Sequence, residues 1–111
     1  MSNAIVPAFR LALTADFYDD AAKLKFADIG LDSFRERDNI HVGRLNEHRP
    51  EIGADQLAGY QGVIVLTPRV TAATLAAAGE LLAICRFGVG YDNVDVEACT
   101  KNDVLATITA G

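Results

Sequence analysis

Long apolar runs are missing from this chain. None approaches the roughly twenty residues that cross a bilayer, and no apolar stretch follows a basic N-terminal segment as a secretory leader requires. The expectation is a cytoplasmic protein with no membrane partner. Blocks of like charge are also missing: 10 Lys and Arg stand against 15 Asp and Glu, for a formal net charge of −5. Without a clustered basic face, a nucleic-acid partner is not expected. Cysteine is scarce. Cys85 lies in an apolar run and Cys99 on a predicted helix, with no CxxC spacing to hold zinc or carry redox chemistry, so both read as buried thiols. His41 reads as a packed or surface residue of a strand, and His48 with Glu51 as an exposed turn, since no further ligands cluster with them and no metal is expected. No internal repeat or low-complexity segment occurs. There is no GxGxxG, the loop that cradles a dinucleotide pyrophosphate.

What is present is the profile of one ordinary globular domain over residues 1–111, half of it hydrophobic. Phe9 to Thr14 alternates into an apolar run and predicts a first strand, followed by a polar loop from Tyr18 to Lys25. Ile29, Leu31 and Phe34 among charged residues predict a short helix. Asn39 to Leu45 predicts a second strand, with a turn at Arg49 and Pro50. Gly62 to Leu66 is a continuous apolar run between Gly62 and Pro68, the pattern of a strand buried on both faces. Thr71 caps a predicted helix over Ala72 to Ala78 that stops at Gly79. Leu82 to Arg86 is strand four, Asp95 caps a helix over Val96 to Lys101, and Val104 to Ile108 is strand five. Strands alternating with helical segments predict an α/β fold, a flavodoxin-like three-layer sandwich with a five-stranded parallel sheet. Ligands of such sheets bind beyond the carboxyl ends of the strands, which directs attention to the segments after Ala15, Leu66, Arg86 and Ile108.

The segment after strand four reads Arg86-Phe87-Gly88-Val89-Gly90-Tyr91-Asp92-Asn93-Val94-Asp95. Glycine has no Cβ, so the N–H groups of Val89, Gly90 and Tyr91 can converge on a carboxylate, with Arg86 and the following helix N-terminus adding positive charge. Asp92 and Asp95 would repel such a ligand unless their oxygens turn back to cap the helix. A tight turn with no ligand is the alternative for the glycine pair.

The run from Arg86 through Val104, with Ala83, Ile84 and Cys85 before it and the Val70 to Ala78 segment upstream, resembles the end of the substrate-binding domain of D-2-hydroxyacid dehydrogenases, the group that includes phosphoglycerate dehydrogenase. The resemblance covers the second half of the chain. It implies that the loop of Gly88, Val89 and Gly90 binds the substrate carboxylate, and that the loop after strand three, Leu66, Thr67, Pro68 and Arg69, lines the same cleft. An arginine and a serine commonly stand where this chain has Leu66 and Thr67, so Arg69 is the candidate to substitute. The implied site is Arg86, Gly88, Val89, Gly90, Thr67 and Arg69, with a small 2-hydroxy or 2-keto acid as ligand and no catalytic residue in this chain. NAD or NADP would serve the parent oxidoreductase and not bind this chain, because the cofactor loop, the substrate arginine, the glutamate and the acid-base histidine belong to a nucleotide-binding domain missing after Gly111. The chain alone is expected to be inactive. An apolar face left uncovered predicts a homo-oligomer, such as a dimer. The rival is a stand-alone binding or oligomerisation module of the same fold. A phosphoacceptor receiver would need Asp and Lys where Leu66, Thr67 and Ile108, Thr109 stand, and a flavodoxin would need hydroxyl residues where Ala15 to Tyr18 stand.

Overall fold

The computed structural model describes residues 9–19, 21, 39–76, 78–88 and 92–109. Five strands, β1 (Phe9–Leu13), β2 (Ile40–Arg44), β3 (Gly62–Val65), β4 (Ala83–Phe87) and β5 (Leu105–Thr109), pair in the order β2-β1-β3-β4-β5. Every pairing is parallel. This is the flavodoxin-like α/β arrangement that the strand spacing predicts. β4 and β5 each begin and end one residue later than the apolar runs suggest, because Leu82 still turns its N–H to Gln61 and the ladder starts at Gly62 opposite Ala83.

β3 is central because it can be buried on both faces. Alternate side chains of a strand point to opposite sides, so Val63 and Val65 join Ala12 and Ile84 on one face while Ile64 joins Leu11 and Leu13 on the other. Gly62 has a packing reason. A Cβ there would come 2.9 Å from the ring of Phe9 and 3.1 Å from Leu11 Cδ1.

Helical cover lies on the Val63 face. It comes from a 3-10 turn at Ala54–Leu57 and the helices α1 (Ala72–Leu75) and α2 (Val96–Lys101), which bury Leu57, Leu75, Ala98 and Cys99 in the larger core. The helix expected around Ile29 to Phe34, and with it most of the layer expected on the opposite face, lies outside the described residues; there Phe17, from a 3-10 turn at Ala15–Phe17, covers Leu11, Leu13 and Ile64. No helix among the described residues is long and apolar enough to cross a membrane.

α1 is shorter than the expected Ala72 to Ala78. Thr71 caps it, its Oγ1 accepting the Thr74 N–H, and Thr74 Oγ1 donates to the Ile52 carbonyl at 2.6 Å. Beyond Leu75 the chain tightens, with the Ala78 N–H reaching back only to the Leu75 carbonyl. Ala72, Ala73 and Ala76 are exposed and Ala77 lies outside the described residues. Helix propensity of alanine is a weak bias, and without an apolar stripe to bury it does not extend a helix.

The expectation of two buried thiols is half corrected. Cys99 is buried, and its thiol is pushed up from the usual range by burial and then by the charge of Asp95. Cys85 is only half-buried, packed against the cluster of Leu11, Leu13, Phe17 and Ile64.

Candidate functional site

β1 pairs with β2 on one side and β3 on the other, so the order of strands reverses there. At such a switch point the loops leaving the strands diverge and open a crevice at their carboxyl ends. The loop after β3, Leu66 to Arg69, lies at this end of the sheet and is fastened along its length. The Leu66 N–H donates to Thr14 Oγ1 at 3.2 Å, and the Thr67 N–H to Asp16 Oδ2 at 3.0 Å. The Thr67 hydroxyl also donates to Asp16, and Thr14 Oγ1 donates to Asp16 Oδ1 at 2.6 Å. On the far side the Pro68 carbonyl accepts from Asn93 Nδ2 at 2.8 Å. The Arg69 N–H donates to the Pro50 carbonyl at 2.8 Å, and its carbonyl accepts from the Ile52 N–H at 2.9 Å. A loop whose backbone is held by both flanking segments is preorganised, which reduces the ordering cost of binding.

Asn93 joins this loop to β4. Its Oδ1 accepts from Arg86 Nε at 2.9 Å, and Arg86 Nη1 donates to the Phe87 carbonyl. The guanidinium is thus folded back over the end of its own strand. Gly88 follows in a left-handed backbone conformation (φ 130°). A Cβ at Gly88 would collide with Arg86 Nη1 and come 3.2 Å from Arg86 Cζ, so a side chain there would displace the end of the guanidinium. Phe17 and Phe87 pack edge to face with ring centroids 5.5 Å apart, which ties the segment after β1 to the end of β4.

The site residues read from sequence divide as follows. Thr67, Arg86 and Gly88 are brought to the same end of the sheet, with Arg86 linked to the β3 loop through Asn93. The donors of Thr67 are turned to Asp16. Arg69 is exposed, and its Nη2 lies 3.7 Å from Glu51 Oε1, whose carboxylate also accepts from Thr71 Oγ1. Val89 and Gly90, with Tyr91, lie outside the described residues. Asp95 turns back as the cap of α2, its Oδ1 accepting the Ala98 N–H at 2.9 Å, while Asp92 is exposed. His41 and His48 are exposed. Among the described residues no group of three or more His, Cys, Asp or Glu is arranged as a metal site.

Asp16 and Asn93 are the two residues that sequence reasoning passed over. Asp16 stands directly after the first strand, in a segment the fold rule singles out, and Asn93 lies inside the quoted motif. Their partners in the β3 loop, Thr67 and Pro68, are remote in sequence, so only the sheet register reveals these links.

A family profile described as the catalytic domain of D-isomer specific 2-hydroxyacid dehydrogenases matches residues 19–111. The chain belongs to this family. Two curated relatives agree: a glyoxylate reductase of Korarchaeum cryptofilum (strain OPF8) and one of Thermococcus litoralis (strain ATCC 51850 / DSM 5473 / JCM 8560 / NS-C), each 39% identical over 49 residues. The matched segment is 44% of this chain and spans 15% of each relative's own length. The resemblance read from Arg86 through Val104 is correct at the level of the family.

Proposed function

We propose that residues 1–111 form the substrate-binding domain of an NAD(P)-dependent D-2-hydroxyacid dehydrogenase. Main-chain N–H groups of Gly88, Val89 and Gly90 receive the carboxylate of a 2-hydroxy or 2-keto acid. Arg86 acts at one remove, holding that turn and the β3 loop in register through Asn93; Thr67 and Arg69 line the mouth. The observation that carries this reading is the pairing of the positive-φ glycine with the arginine folded over it, at the carboxyl ends of the strands and beside the switch point. The names of the two glyoxylate reductases support a small 2-keto acid as ligand.

A dinucleotide does not fit the residues present. The sequence has no GxGxxG, and α2, the helix after the glycine turn, has only six residues, with one of its first-turn N–H groups, that of Ala98, taken by Asp95. We therefore assign NAD or NADP, and the proton-transferring groups, to a nucleotide-binding domain outside this chain, and expect this chain to be inactive alone in the cytoplasm. Exposed Leu82 and Leu105, with Ile108 and a cavity of about 280 Å³ lined by Val94, Val96, Ala106, Thr107 and Ile108, support a homo-oligomer that covers the β5 edge.

Calorimetry of this protein with glyoxylate and with NADH, alongside light scattering, tests the reading. Expected are saturable binding of glyoxylate, none of NADH, no turnover of the two together, and a mass above that of the monomer. Turnover by this chain, or no binding of any 2-keto acid, contradicts the assignment; a monomer at every concentration contradicts the oligomer.

A further inference from the structure

A carboxylate at the switch point is not what anion recognition calls for. Asp16 sits on the first turn after β1, half-buried, with Thr14 Oγ1 donating to one oxygen and the Thr67 N–H and hydroxyl to the other. These neutral donors fix the group in place but leave its charge. Among the described residues Asp16 takes part in no ion pair. The next residue, Phe17, packs on Phe87, which immediately precedes Gly88, so the charge and the glycine turn share one end of the sheet. β1 and β4 are separated by β3 alone, two interstrand steps of about 10 Å in all.

We infer that Asp16 is a charge filter: the site takes 2-keto acids that carry a single negative charge and disfavours those with a second carboxylate or a phosphate. The inference rests on the reading of the Gly88 turn as the substrate-carboxylate site. A ligand whose carboxylate is held at that turn, and which extends along the strand ends toward β1, brings a second anionic group toward the Asp16 charge. For a second anionic group about 10 Å from Asp16, and for effective dielectric constants between those of a protein surface and water, the repulsion disfavours the dianion by about two- to fifteenfold.

2-Oxovalerate and 2-oxoglutarate have the same chain length and differ in a terminal methyl against a terminal carboxylate, which makes them suitable probes. Their affinities are measured by calorimetry at low ionic strength for the wild type, Asp16→Asn and Thr67→Val. The expected result is that Asp16→Asn shifts the affinity ratio toward 2-oxoglutarate by about two- to fifteenfold. Thr67→Val, which loosens the same loop but keeps the charge, leaves the ratio within about twofold. Should Asp16→Asn not fold, Asp16→Ser removes the charge and retains a hydroxyl for the loop. An unchanged ratio in the charge-removing variant overturns the inference, as does an equal shift in Thr67→Val, which would make Asp16 only a latch. Failure of the wild type to bind either acid overturns the carboxylate-site reading itself and this inference with it.

Discussion

Replacing Asn93 with alanine is expected to destabilise the protein by about 2–4 kcal/mol and to weaken 2-keto acid binding by about tenfold or more. The side chain makes two bonds in opposite directions: it accepts from Arg86 Nε at 2.9 Å and donates to the Pro68 carbonyl at 2.8 Å. Both partners are at least half-buried, so truncation leaves a charged donor and a carbonyl without this neighbour. Leaving such a group unsatisfied costs about 1–3 kcal/mol, more for the charged one. The Asn93 main-chain carbonyl would still accept the Val70 N–H, so the backbone path survives while the link between β4 and the β3 loop is lost. Asn93→Asp retains the acceptor for Arg86 and loses the donor to Pro68, and should fall between the wild type and Asn93→Ala. Urea unfolding checks the stability; a change under about 0.5 kcal/mol for Asn93→Ala would place it among ordinary surface substitutions and contradict the clasp.

Gly88→Ala should lose more of the function than of the fold. A non-glycine residue at φ 130° is strained by about 1–3 kcal/mol, and the added methyl collides with the Arg86 guanidinium. Moving Nη1 clear disturbs its bond to the Phe87 carbonyl. The expected outcome is a stability loss of about 1–3 kcal/mol and a drop in glyoxylate affinity of at least about tenfold, because the turn that presents the amides is displaced. Gly79→Ala is the matched control. A Cβ there meets nothing within 4 Å, so its stability should change by no more than about 0.5 kcal/mol and its affinity not at all. Equal behaviour of the two variants would contradict the role given to Gly88.

The sheet was legible because its signals are local. Gly62 to Val65 is apolar at every position, and a strand that must be buried on both faces can only be central. Asp95 as the cap of α2 follows from the residue type beside the helix it opens. The alanine-rich segment misled, since propensity without an apolar stripe does not determine helix length. The position of the Arg69 guanidinium beside Glu51 was not legible either, since it follows from the bridge between residues 51 and 69. Asp16 and Asn93 were not legible as site residues because each acts on Thr67 or Pro68, partners that approach only when β1, β3 and β4 are in register. A polar residue after a strand looks the same in sequence whether it points to water or fastens a loop.

Amide resonances of the 15N-labelled protein, followed as glyoxylate is added, test the central claim most directly. The account predicts saturable shifts at Gly88, Val89 and Gly90, accompanied by Thr67, and their loss in Gly88→Ala. Shifts that leave these four residues untouched and gather elsewhere, for example around Arg10 and Tyr60, where the guanidinium lies 5.2 Å from the ring centroid, would contradict it.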